Sequence, residues 1–217
     1  MSISKKIENF KKTLPKGVQL VAVSKTKPIS DLMQAYEAGQ RIFGENKIQE
    51  MESKWQEMPK DIEWHMIGHV QSNKVKYMAP FVSLIHAVDS LKLLKEINKQ
   101  AKKNDRIIDC MLQIKIAKEE SKFGMTREDA ISLLSSEEIK TLDNVRIVGL
   151  MGMATFTDDE SQVGDEFQGL KNFYDSIQEN YNFKVLSIGM SGDYPLAIKK
   201  GSTMVRVGSA IFGERNY

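Results

Sequence analysis

Eight short apolar segments separated by helical patterns constrain the fold of this chain more than any other feature of its sequence. Most of these segments are apolar on consecutive residues, which is typical of strands buried on both faces of a parallel sheet. Eight such strands alternating with helices in 217 residues predict an α/β fold, a single (β/α)8 TIM barrel, with an open doubly wound sheet as the competing architecture. The segments are 19–24, 41–44, 62–67, 82–88, 108–116, 145–155, 184–189 and 203–207.

Helical patterns lie between the predicted strands, with apolar residues recurring at spacings of three and four. Several carry start or stop signals: a proline in the first turn, a glycine after the last, or a side chain that can cap the first N–H groups. Together these helices would cover the outside of the barrel. The predicted helices are 3–13, one from Pro28 to Gly39, 46–58, one capped by Asp89, one capped by Thr126, and 161–180.

Composition and length exclude several other classes of protein. The formal net charge is +2 and no basic stripe is interleaved with aromatic residues, so nucleic-acid binding is not expected. No apolar stretch approaches the roughly 18 residues that span a membrane and no signal peptide is recognisable, which predicts a cytoplasmic protein with no membrane contact. The single cysteine, Cys110, rules out an intrachain disulfide and is expected to be buried. His65 and His69 straddle a strand end, so no metal site is expected, and residues 1–217 are expected to form one domain.

The active residues of such a barrel lie at the carboxyl ends of its strands, and Lys25 follows the first strand there. Lys25 comes two residues after Val23 and therefore shares its side of the strand. A lysine inside the barrel mouth is unfavourable unless it is paired or neutral, and a neutral amine is the form that condenses with an aldehyde. The alternative is that Lys25 and Lys27 are two solvated loop lysines.

Glycine and serine follow the seventh and eighth predicted strands, at 189–193 and 206–210. The loops after these two strands are the usual phosphate site of (β/α)8 barrels, because their N–H groups and hydroxyls are free to donate hydrogen bonds to an anion. The alternative is that the glycines only form tight turns and Ser191 only caps a helix. Arg206, on the eighth strand, stays charged if buried and needs an acceptor, either a core carboxylate or a ring nitrogen of a ligand.

Four sequence motifs together resemble the pyridoxal phosphate homeostasis protein family, whose members resemble the barrel domain of alanine racemases without its second domain. The resemblance extends over about 19–217. The motifs are AVSKTKP at 22–28, FGENKIQE at 43–50, WHMIGHVQSNK at 64–74, and the glycine- and serine-rich segment 189–213.

The resemblance implies a binding site for pyridoxal 5'-phosphate at the barrel mouth. Lys25 would form a Schiff base with the cofactor, and Ser191 with the backbone N–H groups of Gly208 and Ser209 would hold its phosphate. Arg206 would face the pyridine nitrogen. Asn46 would lie near the ring, although it is equally compatible with an N-cap in a capping box completed by Gln49.

An arginine beside the pyridine nitrogen cannot readily pass it a proton, so the cofactor would be a weak electron sink. Racemases of this fold also use a second acid or base contributed by the partner subunit and its extra domain. We therefore expect a monomer that buffers, carries and delivers pyridoxal phosphate without evident amino-acid turnover, with apo-enzymes as candidate recipients. The alternatives are a pyridoxal-phosphate enzyme of racemase or decarboxylase type on an unknown amine, and a cofactor-free barrel acting on a phosphorylated metabolite. Lys122 is a further lysine that would lie near the mouth.

Overall fold

The computed structural model describes residues 1–119 and 123–214, and its eight parallel strands close into a barrel in chain order. Closure is made by β1 against β8, where Val21 is opposite Arg206. The TIM barrel predicted from the apolar segments is therefore confirmed, and the open sheet is wrong. The strands are β1 Gln19–Val23, β2 Ile42–Glu45, β3 Glu63–Met66, β4 Val82–Val88, β5 Ile108–Lys115, β6 Val145–Met153, β7 Val185–Met190 and β8 Met204–Val207.

Helices surround this barrel, and every predicted helix is present within two or three residues of its expected bounds. The helical turns after β3 were not predicted from the sequence, because single turns are too short to show a periodic apolar stripe. The helices are α1 Ile3–Thr13, α2 Ile29–Glu37, α3 Ile48–Glu57, α4 Val75–Met78, α5 Leu91–Lys103, α6 Arg127–Ser135, α7 Glu160–Tyr181, α8 Tyr194–Lys199 and α9 Ser209–Phe212, with 3₁₀ turns at Ser72–Lys74 and Ile139–Thr141.

Of the N-cap residues predicted for α3, α5 and α6, one is confirmed and two are wrong. The Thr126 hydroxyl accepts the N–H of Asp129 at 3.0 Å, as predicted for α6. Helix α5 is capped by Ser90 rather than by Asp89, because Ser90 has the extended backbone from which its hydroxyl reaches the third N–H of the helix. Helix α3 begins after Lys47, with no side-chain cap, so Asn46 lies outside the helix and the capping box is wrong.

Two apolar layers hold the barrel together. The larger lies between the sheet and the helices and includes Trp64, Phe43 and Phe167, all fully buried. The smaller fills the inside of the barrel with Val21, Leu84, Ala87, Met111, Met151 and Met204. Cys110 is buried in the outer layer as expected, and burial raises the pKa of its thiol. No helix in the described ranges is both long and apolar enough to cross a membrane.

Candidate functional site

The carboxyl ends of the strands meet at one rim of the barrel, and Lys25 lies in the loop that leaves β1 there. Lys25 is half-buried. Gly208, just after β8, packs against the end of β1: a Cβ atom on Gly208 would lie 3.2 Å from the carbonyl oxygen of Val23. The loop with the predicted Schiff-base lysine is therefore next to the loop with the predicted phosphate groups.

Anchored backbone groups flank Lys25 on both sides. The Nζ atom of Lys54, on α3, donates to the carbonyl oxygen of Ser24 at 2.9 Å. The N–H of Thr26 donates to Oε1 of Glu50 at 2.6 Å. Thr26 has a φ of 64°, a left-handed conformation that L side chains seldom adopt, so the loop turns sharply after Lys25. Helix α3 thus fixes the backbone on either side of the lysine.

These anchors belong to a buried charged cluster behind the Lys25 loop. Besides Ser24, Lys54 Nζ contacts Oε1 of Glu45 at 2.8 Å and Oε1 of Glu50 at 2.7 Å, and the Ser24 hydroxyl donates to Glu45 at 2.6 Å. The Glu45 side chain is fully buried and its Oε2 atom has no hydrogen-bond partner. Burial raises the pKa of Glu45, although Lys54 and Ser24 act in the opposite direction.

Sequence reasoning missed this cluster. A usable signal was present, because Glu50 and Lys54 are four residues apart on a predicted helix and form an i,i+4 ion pair. The buried partner Glu45 belongs to a different element, β2, and nothing in the local sequence shows that α3 folds back over it.

Backbone N–H groups converge on Ser191 in the loop after β7. Its hydroxyl oxygen accepts the N–H of Gly208 at 3.0 Å and the N–H of Ala210 at 3.5 Å. Ser209 begins α9 and is exposed. Ser191 does not cap α8, whose N-cap residue is Asp193, so that alternative is wrong. The structure therefore brings together Ser191 and Gly208, with Ala210 as the second N–H donor.

Arg206 is buried in the barrel next to this loop, with 4% of its surface exposed. Its Nη1 atom donates to the carbonyl oxygen of Ser187 at 2.9 Å and to the hydroxyl of Ser187 at 2.5 Å, and Nη2 donates to the carbonyl of Gly152 at 3.0 Å. Burial lowers the pKa of Arg206 to about 10, opposed by the charge of Asp193, so the guanidinium stays protonated at neutral pH. Its hydrogen-bond partners in the described part of the chain include no carboxylate, so of the two alternatives for its acceptor the core carboxylate is wrong.

The other candidate residues have individual explanations. Asn46 is half-buried directly after β2, and Gly68 packs so closely on its backbone that a Cβ there would lie 2.6 Å from the Asn46 carbonyl oxygen. Lys27 turns away to the carbonyl of Glu214, at 2.8 Å. Lys122 lies outside the described residues. Within the ranges that the structure describes, no three His, Cys, Asp or Glu side chains are grouped to bind a metal.

The mouth of the barrel thus offers three kinds of polar partner. A lysine follows β1, two N–H groups and a hydroxyl converge after β7 and β8, and a buried cationic guanidinium lies between those strands. Groups of these kinds can bind an aldehyde, an anion and an aromatic ring nitrogen, respectively. Gly208 can pack this closely on the end of β1 because it has no side chain, since a Cβ atom there would press on Val23.

Comparison with known proteins shows the family to which the chain belongs. The family model described as alanine racemase, N-terminal domain, matches residues 2–216. A pyridoxal phosphate homeostasis protein of Vibrio alginolyticus is 41% identical over 94% of this chain and 89% of its own length. A protein of the same name from Aquifex aeolicus is 38% identical over 92% of this chain and 88% of its own length.

Solved structures extend the same relationship. PipY of Synechococcus elongatus without pyridoxal phosphate superposes with a TM-score of 0.92 at 34% identity, covering 98% of this chain and 100% of that one. The form of PipY with pyridoxal phosphate bound gives 0.89 at the same identity and coverage. Alanine racemase of Clostridium difficile shares the fold, with a TM-score of 0.79 at 13% identity over 100% of this chain and 57% of its own. This chain belongs to the alanine racemase N-terminal domain family, among the relatives named pyridoxal phosphate homeostasis protein.

Proposed function

We propose that this protein binds pyridoxal 5'-phosphate as a Schiff base on Lys25 and serves in intracellular homeostasis of the cofactor. The observation that carries the proposal is the adjacency of the Lys25 loop to the N–H groups that converge on Ser191, beside the buried charge of Arg206. The names of the relatives and the pyridoxal-phosphate-bound form of PipY support the same cofactor.

Each of these residues has a separate task in binding. When bound, pyridoxal phosphate would supply a reactive aldehyde, and Lys25 would hold it by condensation of its amine with loss of water. Ser191 and the N–H groups of Gly208 and Ala210 would donate to phosphate oxygens, so the hydroxyl gives up its present role as acceptor. Ser209 and Asn46 are proposed to complete the phosphate and ring contacts.

Arg206 makes a cofactor holder more plausible than a catalyst. A guanidinium is already protonated at neutral pH, so it can donate a hydrogen bond to the ring nitrogen but cannot readily pass it a proton. An unprotonated ring withdraws little charge from a substrate carbanion. We propose that the protein acts in the cytoplasm as a single-domain monomer that buffers the reactive aldehyde and releases it to apo-enzymes.

The lysine assignment is tested with Lys25→Ala and a matched control, Lys27→Ala. Lys27 is two residues away in the same loop but its amine contacts Glu214. Each protein is loaded with pyridoxal phosphate, reduced with borohydride and digested, and the adduct is located by peptide mass. We expect a stoichiometric adduct on the Lys25 peptide in wild type and in Lys27→Ala, and none in Lys25→Ala, which should still fold.

Full trapping in Lys25→Ala would refute the assignment and direct attention to other lysines, Lys122 among them. A wild-type protein that gains no adduct would refute the cofactor proposal itself. Exchange of amino-acid α-protons with solvent deuterium at rates of about 1 per second or more would show an enzyme rather than a holder.

A further inference from the structure

Four buried polar side chains lie end to end across the inside of the barrel, each from a different strand. Arg206 contacts the Ser187 hydroxyl at 2.5 Å, this hydroxyl lies 3.5 Å from Nδ1 of His86, and Nε2 of His86 lies 3.0 Å from Nδ1 of His65. All four residues are at most 4% exposed. Buried polar groups are unfavourable unless they are hydrogen-bonded, so a chain of four in a barrel interior requires a reason.

The hydrogen bonds among these four side chains all run in one direction, from Arg206 as first donor to His65 as last acceptor. A guanidinium only donates, so the Ser187 oxygen accepts from Arg206 and its own proton is directed to Nδ1 of His86. A neutral His86 that accepts at Nδ1 carries its proton on Nε2, which donates to Nδ1 of His65. Neutrality is expected for both rings: burial lowers the pKa of His65 to about 3, and burial together with His65 and Arg206 lowers the pKa of His86 well below its usual value.

His65, the last residue of this hydrogen-bonded series, lies towards the end of the barrel opposite to the mouth. His65 lines a cavity of about 520 Å³ together with Gln19 and Glu63, the first residues of β1 and β3. In the described part of the protein, Nε2 of His65 has no hydrogen-bond partner, so its proton faces this cavity. The series of hydrogen bonds from Arg206 to His65 therefore ends on an N–H group that can donate to water in the cavity, so it needs no buried carboxylate as its last acceptor.

This arrangement determines which donors Arg206 has left. Both Nη1 protons are taken by Ser187, and one Nη2 proton is taken by the carbonyl of Gly152. In the described ranges Nε has no hydrogen-bond partner and Nη2 has one, and these two nitrogens lie on one edge of the planar guanidinium. Every hydrogen-bond partner of Arg206 in the described ranges is neutral, and the nearby carboxylate of Asp193 offsets part of its charge without a hydrogen bond to it.

We propose that Ser187 and His86, with His65 behind them, are positioning residues that hold this edge of Arg206 towards the ring nitrogen of pyridoxal phosphate. The inference rests on the proposed function, since it concerns the same ligand. A guanidinium fixed in this way donates to an unprotonated ring nitrogen and disfavours a proton on it through charge repulsion. A carboxylate in the place of Ser187 would neutralise the guanidinium and remove that effect.

The test compares Ser187→Ala with Ser202→Ala. Ser202 is equally buried and its hydroxyl donates to a backbone carbonyl, that of Ile188, at 2.7 Å, but it does not contact Arg206. Both variants lose one buried hydroxyl and should unfold in urea at similar concentrations. We expect Ser187→Ala to bind pyridoxal phosphate about tenfold more weakly than Ser202→Ala, the effect of one lost hydrogen bond of about 1.4 kcal/mol.

The visible spectrum of the loaded protein gives a readout that a purely structural role would not change. A loosened Arg206 lets the ring nitrogen take a proton, and this nearby charge lowers the pKa of the Schiff-base nitrogen. The pH midpoint of the absorbance change should therefore fall in Ser187→Ala and in His86→Leu, and stay at the wild-type value in Ser202→Ala.

The outcomes separate the two proposals. If wild type loads and Ser187→Ala matches Ser202→Ala in both affinity and midpoint, the positioning role is wrong while the cofactor proposal stands. If wild type neither loads nor gains an adduct on reduction, both are wrong. A midpoint that moves only in Ser187→Ala and His86→Leu supports the positioning role.

Discussion

Replacing Lys54 with methionine should destabilise the protein through the charge that it leaves behind. Methionine is close in length to lysine and apolar, so it fills most of the same space without the ammonium group. In the native protein that ammonium contacts Glu45, Glu50 and the carbonyl of Ser24 within 2.9 Å. Without the ammonium group, Oε1 of the fully buried Glu45 carboxylate keeps only its hydrogen bond from the Ser24 hydroxyl. The other carboxylate oxygen, Oε2, has no hydrogen-bond partner even in the native protein.

The expected loss is large relative to the stability of a domain. Removing one partner of a buried ion pair typically lowers the free energy of unfolding by about 3–5 kcal/mol. A whole domain is stable by about 5–15 kcal/mol, so Lys54→Met should fold but unfold at clearly lower urea concentration. Loading of Lys25 with pyridoxal phosphate should also weaken, because the Ser24 carbonyl is no longer anchored.

A double-mutant cycle with Glu45→Gln isolates the interaction between the two side chains. Glu45→Gln removes the carboxylate charge with little change in shape, so Lys54→Met combined with it should be more stable than Lys54→Met alone. Urea unfolding of the four proteins at pH 8 gives the coupling energy between positions 45 and 54. Lys60 is exposed, so Lys60→Met serves as the control for the effect on unfolding of replacing a lysine with methionine.

The pH dependence supplies an independent check with a defined sign. Burial raises the pKa of Glu45 in the folded state, and without Lys54 nothing comparable opposes the rise. A folded pKa above the unfolded value means that stability is lost as pH rises through the folded pKa. The stability gap between Lys54→Met and wild type should therefore narrow from pH 8 to pH 5. A gap below 1 kcal/mol at pH 8, or one that widens on acidification, would refute the reasoning.

Two further predictions concern the inside of the barrel and its rim. In proton NMR, the ring resonances of His65 and His86 should stay constant from pH 8 to pH 5, because burial lowers the pKa of both rings. Since the folded pKa of His65 is about 3, its protonation in the unfolded state should lower the stability of the protein at pH 5 by about 2 kcal/mol. A midpoint near 6.5 for either buried ring would contradict this. Gly208→Ala should weaken pyridoxal phosphate binding about tenfold, because its Cβ would press on the β1 carbonyl next to the Lys25 loop. Gly164→Ala, whose Cβ has 3.6 Å to its nearest neighbour, should bind like wild type, and equal binding by both variants would count against the proposed phosphate position.

The fold was predictable because buried parallel strands and amphipathic helices leave strong local signals. All eight apolar segments became strands, and the long stripe at 161–180 became α7, Glu160–Tyr181. Predictions failed where the outcome depended on one or two residues, as with the cap of α5. Whether Asp89 or Ser90 caps that helix is decided by the backbone conformation at each position, which the sequence does not show.

The residues of the site were less predictable than the fold, because their partners lie far apart in the sequence. Lys25, Ser191 and Gly208 lie at strand ends, where topology alone directs attention. The groups that anchor these residues do not lie at strand ends. Lys54, on α3, donates to the Ser24 carbonyl, 30 positions earlier in the chain. Arg206 donates to the carbonyl of Gly152, 54 positions earlier, an acceptor that neither of the two alternatives drawn from the sequence included.

The two buried cations at the rim are held by opposite means, and the difference determines the charge offered to a ligand. Lys54 contacts two carboxylates, so its cluster adds no net positive charge to the mouth and serves to anchor the Lys25 loop. Arg206 donates to carbonyls and a hydroxyl, which stabilise its charge without cancelling it, and Asp193 acts on it without a hydrogen bond. In a low-dielectric barrel an uncancelled charge acts over a longer distance than a paired one. The mouth therefore combines an anchored lysine loop with a cation that has no hydrogen-bonded carboxylate, which fits the proposed ligand, with its aldehyde at Lys25 and its ring nitrogen at Arg206.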